Sequence, residues 1–115
     1  MIKKSEYYLI GLIALTMMSC SKTVSDPGLT VVKITYEANI KPLISLRCTP
    51  CHLPPDGFKT YFNSYQAAKS YGDEMIRRIQ LPRTDTMAMP YKFPALVNTE
   101  IQKFIQWKTD GYLEK

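Results

Sequence analysis

Apolar residues recur at helical spacing in several short stretches of the chain, and segments rich in proline and glycine separate these stretches. In TYEANIKPLISLR, Tyr36, Ile40 and Leu43 fall on one face, as expected for an amphipathic helix. Pro42 is unfavourable in a helix interior, so this helix either kinks at Pro42 or begins near Lys41, with the proline in its first turn. In both cases the pattern predicts a helix.

Two short helices are predicted in the middle of the chain. The first lies in NSYQAAKSYG, with Ser64 as its N-cap and Gly72 as its stop, residue types that favour these positions. The second, DEMIRRI, has acidic residues at its start and arginines near its end, which the helix dipole favours. Its apolar stripe of Met75, Ile76 and Ile79 predicts that Met75 packs in the core.

A last helix is predicted in NTEIQKFIQWKTDGY, with Gly111 as its C-terminal stop. Asn98 or Thr99 is the expected N-cap, and Thr99 to Gln102 fits the spacing of a capping box. The residues expected on the buried face of this helix are Ile101, Phe104, Ile105 and the stem of Lys108, with Trp107 on its flank.

The segment LPRTDTMAMPYKFPAL is predicted to be a loop, because Pro82, Pro90 and Pro94 interrupt any regular element. The sequence contains no internal repeat, low-complexity tract or hairpin signal. These patterns together predict an all-α domain with short helices and long loops. A domain of this size often needs a disulfide, a metal or a cofactor to be stable.

The N-terminus has the features of an export signal. Lys3 and Lys4 precede an uncharged apolar run, Tyr7 to Met18, which is shorter than the roughly 20 residues that span a bilayer. A short uncleaved anchor is the alternative interpretation. The end of the segment resembles a bacterial lipoprotein signal, in which a small residue precedes a cysteine that receives lipid, here Cys20. We therefore divide the chain into a signal peptide (1–19), a tether (20–33) and a domain (34–115).

The lipoprotein resemblance implies an exported, periplasm-facing protein that is attached to a membrane through lipid on Cys20. Ser21 after that cysteine resembles outer-membrane sorting in Gram-negative lipoproteins. The chain has 15 Lys+Arg against 10 Asp+Glu, a net charge of +5, and the basic residues are scattered. Such a surface is typical of solvated charge, so no nucleic-acid partner is predicted.

The segment RCTPCH carries the most specific chemical signal. Cys48, Cys51 and His52 stand together, and His52 is the only histidine of the chain. A structural zinc site needs four ligands, which the chain does not supply. A redox-active disulfide needs its CxxC at a strand-to-helix junction, and the surrounding pattern is helical. The third interpretation is one covalently attached haem c, whose signature is C-x-x-C-H.

The spacing suits haem attachment because two cysteines on one turn can form thioethers to the two vinyl groups of a porphyrin, and the next histidine then faces the iron. Without a second histidine, the natural second ligand is a methionine thioether. Met87 and Met89 both lie in the predicted loop, and a loop can carry a ligand across a cofactor face. The residues alone leave the choice between these two methionines open.

The segment ITYEANIKPLISLRCTPCH resembles the opening of small class I cytochrome c domains, and MPYKFPALVNTEIQKFIQWKTDGY resembles their ligand loop and final helix. The resemblance covers residues 34–115 and implies a cytochrome c fold around one haem. It implies thioether links at Cys48 and Cys51, His52 as the proximal iron ligand and Met89 as the distal one. In place of the proline and glycines that usually follow the methionine of this family, the chain has YKF.

Two further roles are expected around such a cofactor. The second nitrogen of a proximal histidine usually donates to a backbone carbonyl, and the carbonyls of Leu53, Pro54 and Pro55 are the candidates. Trp107 either contacts a haem propionate through its indole N–H or anchors the core.

Three functions are consistent with these features. The leading one is an electron carrier with both axial positions filled, which exchanges electrons with transient redox protein partners. The second is an enzyme or sensor with an open iron position, which would need a distal acid or base. The third is an exported protein without haem, in which Cys48 and Cys51 form a simple disulfide.

Covalent attachment gives the first testable prediction. Haem should stay on the polypeptide after extraction with acidified acetone, because thioether bonds hold it in addition to coordination. The double variant Cys48→Ala, Cys51→Ala should release all of its haem, measured as absorbance left in the protein fraction. Covalent haem in the double variant would contradict the assignment of these two cysteines.

Overall fold

Helices are the regular structure of residues 32–115, the part of the chain that this computed structural model describes, and no strand occurs in that part. This confirms the prediction of a helical domain. None of the described helices is long and apolar enough to cross a membrane. The predictions for the signal peptide, for Cys20 and for most of the tether fall outside the described residues.

The first predicted helix consists of two segments. A π-helical turn, Tyr36–Ile40, is followed directly by helix α1, Lys41–Arg47. Pro42 lies in the first turn of α1, a position that tolerates proline. The second of the two alternatives for Pro42 is therefore correct. The backbone N–H of Tyr36 donates to the carbonyl of Leu113 at 2.8 Å, so the C-terminal tail supports the start of this segment.

Helices α2, Tyr65–Ser70, and α3, Gly72–Ile79, follow in the middle of the chain. The hydroxyl of Ser64 accepts a hydrogen bond from the Ala67 N–H at 3.3 Å, which confirms the predicted N-cap. The predicted stop at Gly72 is confirmed, because α2 ends at Ser70 with Tyr71 as its C-cap, and Gly72 also begins α3. A Cβ atom at Gly72 would lie 2.5 Å from the ring of Tyr112. Glycine is therefore needed there for the close approach of the tyrosine.

Helix α4 runs from Asn98 to Thr109, and its N-cap is Val97. The predicted cap at Asn98 or Thr99 is wrong, because the carboxylate of Glu100 instead accepts a hydrogen bond from the Val97 N–H at 3.1 Å. Glutamate at this position can bind the free N–H of the cap residue whatever the side chain of that residue is. The helix therefore begins one or two residues earlier than its polar residues suggest.

The end of α4 is a Schellman motif around Gly111, which confirms the predicted stop. Gly111 has a φ of 88°, a left-handed conformation that glycine adopts without steric cost. The N–H of Tyr112 donates to the carbonyl of Trp107 at 2.8 Å, and the N–H of Gly111 donates to that of Lys108 at 3.0 Å. These bonds satisfy the last carbonyls of the helix and turn the tail back toward Tyr36.

The core lies where α4 meets the π-helical turn and α3. Its largest fully buried side chains are Trp107, Tyr36, Phe104, Ile40 and Ile44. The buried face of α4 was predicted correctly at Phe104, but Trp107 lies at its centre instead of on the flank, and Lys108 is exposed. The indole N–H of Trp107 donates to the carbonyl of Leu113 at 2.8 Å. Of the two roles considered for Trp107, the structure therefore supports the core anchor.

The Schellman motif predicts that Gly111→Ala lowers the free energy of unfolding by about 1 kcal/mol, because alanine is disfavoured at positive φ. A Cβ at residue 111 would meet no atom within 4 Å, so the cost is one of backbone conformation alone. Denaturant unfolding followed by circular dichroism measures the change. Gly111→Asn is the matched control and should lose less, because asparagine tolerates this conformation. Equal losses in the two variants would contradict the explanation.

Candidate functional site

A cavity of about 640 Å³ opens between the segment after α1, helix α3 and the loop before α4. Binding sites for cofactors and small ligands usually measure about 300–1,000 Å³ and are mostly apolar. The cavity has this character, since the apolar and aromatic side chains in its wall are Phe58, Phe62, Tyr71, Met75, Ile79, Tyr91, Phe93, Leu96 and Phe104. Its size and lining fit a large, flat, apolar cofactor.

The CxxCH segment forms a turn that faces this cavity. Cys48 ends α1, where its N–H donates to the carbonyl of Ile44 at 2.9 Å, and the N–H of His52 donates back to the carbonyl of Cys48 at 3.0 Å. This closed turn brings Cys48, Cys51 and His52 to one wall of the same cavity. The three residues that the sequence singled out are therefore adjacent in space and share one binding surface.

The orientation of the His52 ring is set by a hydrogen bond of 2.7 Å between its Nδ1 and the carbonyl oxygen of Thr60. A carbonyl oxygen only accepts, so Nδ1 carries the proton and Nε2 is left with a free lone pair. The ring also stacks on Phe62, with 4.5 Å between the ring centroids. This is the arrangement that a metal-ligating histidine needs.

The identity of the carbonyl differs from the prediction. Leu53, Pro54 and Pro55 were the candidates, but the chain turns away at those residues and returns at Thr60. The N–H of Gly57 bonds the carbonyl of Leu53 at 2.9 Å, and that of Phe62 bonds the carbonyl of His52 at 2.9 Å. The loop thus closes on itself and brings a later residue to the imidazole, which local sequence does not indicate.

The environment of Cys48 does not suit thiolate chemistry. Burial raises the pKa of its thiol to about 12, and its position at the C-terminal end of α1 also disfavours negative charge. A nucleophilic CxxC cysteine has the opposite features, namely a lowered pKa and a position at a helix N-terminus. A partly buried, uncharged sulfur in an apolar wall is instead well suited to a thioether.

Both loop methionines reach the cavity wall, but they are held differently. The N–H of Met89 donates to the carbonyl of Arg78 at 3.2 Å, which ties the loop to the end of α3, and its side chain is half-buried. Met87 is 42% exposed, and its N–H donates to the side chain of Asp85 at 2.7 Å. The Met87 sulfur accepts a contact from the Arg78 Nη1 on α3 at 4.0 Å, so the feature that distinguishes Met89 is its greater burial.

Met75 is buried in the core, as predicted, and its side chain also forms part of the cavity wall. It therefore links the packing of α3 to the shape of the site.

Two arginine–glutamate pairs support the wall, one between helices and one within α3. Arg47 donates through Nε and Nη2 to one carboxylate oxygen of Glu100, at 3.0 and 2.8 Å. This pair joins the end of α1, next to Cys48, to the start of α4. On α3, the Arg78 Nε donates to Glu74 at 2.6 Å. Both pairs fix elements that carry the candidate site residues.

The alternative sites weighed from the sequence can be compared with this geometry. Among residues 32–115, no three side chains of the types His, Cys, Asp and Glu come together as a possible metal cluster. The CxxC follows a helix, and no strand of the described chain precedes it, unlike the strand-to-helix junction of a thioredoxin-type motif. The described residues therefore offer no feature that favours a zinc site, and the position of the CxxC does not favour a dithiol oxidoreductase.

Comparisons of the chain with protein-family models, with curated proteins and with solved structures find no match. The interpretation of the site therefore depends on the residues of this chain and their geometry.

The Arg47–Glu100 pair generates a pH-dependent prediction. The hydrogen bond from Arg47 holds the pKa of Glu100 below its usual range. A lowered native pKa stabilises the fold above the ordinary glutamate pKa of about 4.3, and this stabilisation is lost as the pH falls through the native value. Glu100→Gln should therefore cost roughly 1 kcal/mol at about pH 7, since the pair is mostly shielded from water, and much less at about pH 3.

Denaturant unfolding at both pH values measures this difference. The matched control is Glu37→Gln, which removes the exposed pair between Glu37 and Lys41 and should cost only about 0.3 kcal/mol. A loss in Glu100→Gln that is the same at both pH values would show that charge pairing is not its cause.

Proposed function

We propose that this protein is an electron carrier that holds one covalently bound haem c, with His52 and Met89 as the axial ligands of the iron. The main support for the proposal is that one apolar cavity is lined by Cys48, Cys51, His52 and Met89. In addition, the Nδ1 of His52 donates to the carbonyl of Thr60, which leaves Nε2 free to bind a metal. This set of residues matches the needs of a haem that is linked at one edge and ligated on both faces.

Each residue has a distinct part in this proposal. Cys48 and Cys51 hold the cofactor through uncharged thioethers, and His52 presents its free Nε2 on the proximal side. Met89 supplies a thioether on the distal side, which raises the reduction potential by favouring the reduced metal. The bound haem supplies the one-electron chemistry by cycling between ferric and ferrous iron. The protein keeps both axial positions filled and excludes water with its aromatic wall.

The proposal includes a cytochrome c fold for residues 34–115 and export of the protein to the periplasm. Lipid on Cys20 would attach it to a membrane, in a Gram-negative cell the outer one, with residues 20–33 as the tether. Transient redox proteins would donate and accept the electron. The helical architecture of the described residues supports the fold assignment at the level of class, and the CxxCH turn supports the cofactor.

An open-site haem enzyme or sensor is less well supported, because such a site needs a distal acid or base near neutral pKa. His52 is the only histidine of the chain and is the proximal candidate. The carboxylate on the cavity wall, Glu74, bonds Arg77 and Arg78, whose hydrogen bonds lower its pKa to about 2. A carboxylate with that pKa is a poor proton donor or acceptor at neutral pH.

The absorption spectra of the oxidised and reduced protein test this function. Low-spin His/Met bands would support the electron carrier, and high-spin bands would favour the open-site alternative. If the strong haem band is absent, the remaining interpretation is the exported protein with a simple disulfide between Cys48 and Cys51. The weak sulfur-to-iron band of the ferric protein then identifies the distal ligand.

Met89→Ala should remove that band and lower the reduction potential, because a thioether ligand is lost. Met87→Ala is the matched control. It removes the same type of side chain two positions earlier in the chain, where the methionine is more exposed. It should keep the band and lose only a little stability. A band that disappears in Met87→Ala and survives in Met89→Ala would move the distal ligand to Met87.

A further inference from the structure

The part of the loop that directly follows Met89 has little burial and no regular structure to hold it. Residues 80–97 contain no helix or strand, and Tyr91 and Phe93 beyond the methionine are 53% and 49% exposed. Lys92 between them has a φ of 62°, which is unfavourable for a residue with a side chain. Burial and local backbone preference therefore do little to hold this part of the loop, and another interaction must do so.

Arg83 provides that interaction. Its Nη2 donates one hydrogen bond to the carbonyl of Pro90 at 2.9 Å and another to the carbonyl of Phe93 at 2.8 Å. The two acceptors lie on either side of Tyr91 and Lys92. A single guanidinium therefore joins residue 83 to both ends of the turn at Lys92 and holds that turn in place. Hydrogen bonds from a charged donor are stronger than those between neutral groups.

The chain segment that precedes Met89 is held by backbone hydrogen bonds. Its own N–H bonds the carbonyl of Arg78 at 3.2 Å, and the N–H of the preceding Ala88 bonds the carbonyl of Asp85 at 3.1 Å. Ala88 is also buried, at 3% exposure. The segment before the methionine thus has packing and backbone bonds, whereas the segment after it depends on Arg83.

We infer that Arg83 is the positioning residue of the distal ligand loop: by bonding the carbonyls of Pro90 and Phe93 it holds Met89 against the cavity. This inference rests on the proposed function, in which Met89 ligates the iron. Arg83 acts through the loop and not on the cofactor, since it is absent from the wall of the large cavity. It lines a separate cavity of about 270 Å³ formed within the loop itself.

Competition by imidazole tests the inference on the haem-loaded protein. Imidazole binds the ferric iron only when the methionine has moved away, so its apparent affinity rises with the fraction of molecules whose loop is open. Arg83→Leu keeps much of the apolar stem and removes both hydrogen bonds. We expect its apparent dissociation constant for imidazole to fall roughly tenfold, with covalent haem content unchanged.

Two control variants separate loop positioning from other effects. Lys69→Leu removes one positive charge from an exposed residue of α2 that bonds the Tyr65 hydroxyl away from the cavity wall, and it should bind imidazole like the wild type. Gly111→Ala lowers overall stability at the end of α4, and it should also leave the imidazole affinity unchanged. If Arg83→Leu does not fold, Arg83→Gln replaces it, because the shorter amide cannot span both carbonyls and should again bind imidazole more tightly.

The outcomes distinguish this inference from the proposed function. A wild-type protein with the sulfur-to-iron band and an Arg83→Leu protein with unchanged imidazole affinity would overturn the role of Arg83 alone. An equal gain in affinity in Arg83→Leu and Gly111→Ala would also overturn it, because general destabilisation would then be the cause. A wild-type protein without covalent haem or without the band would overturn the proposed function, and the positioning role with it.

Discussion

The hydrogen bond from the Nδ1 of His52 to the carbonyl of Thr60 is the contact on which the rest of the candidate site depends. It selects one tautomer, and it fixes the plane of the ring, so that Nε2 has a defined direction. The loop from Leu53 to Phe62 is folded around this bond, with Phe62 stacked on the ring and its N–H bonded to the carbonyl of His52. Without this contact, the only histidine of the chain would be an ordinary half-buried side chain.

The core and the cavity are two sides of one apolar layer. Phe104, Met75 and Leu96 are buried in the core and also form the cavity wall. Beyond them, Phe58 is 71% exposed at the cavity rim, so the described chain leaves large aromatic surface open to water. In the proposed holoprotein, a flat cofactor would cover this surface and complete the layer. A domain this small gains proportionally more from such burial than a larger one does.

The sequence predictions are accurate where a feature depends on residues close to it in the sequence, and they fail where it depends on distant residues. Ser64 as N-cap, Pro42 in a first turn and Gly111 as a stop depend on bonds within a few residues, and all three are confirmed. The prediction that Trp107 lies on the flank of α4 is wrong, and the close approach at Gly72 was not predicted, because both positions are decided by the C-terminal tail. Gly72 makes room for Tyr112, and Trp107 donates to Leu113. No helical period indicates that a tail folds back over the helix that precedes it.

The same reasoning applies to the candidate site. The CxxCH spacing is a local signal, and Cys48, Cys51 and His52 lie on one surface in the structure. The acceptor of His52 was missed because it depends on the path of a proline-rich loop, which returns at Thr60. Arg47 and Glu100 are 53 positions apart, and sequence patterns describe pairs within one helix much better than pairs between helices. The tertiary supports of the site are therefore what sequence reasoning could not supply.

Arginines supply the polar contacts that support the site. Arg47, Arg78 and Arg83 each direct their guanidinium at groups of the protein: Glu100, Glu74 and two loop carbonyls, respectively. A planar guanidinium can hold two acceptors in a fixed geometry, whereas an ammonium acts as a mobile point charge. All lysines of the described chain are exposed. Arg47, Arg78 and Arg83 thus fix elements around the cavity, whereas lysines such as Lys41 and Lys108 pair with carboxylates at the surface.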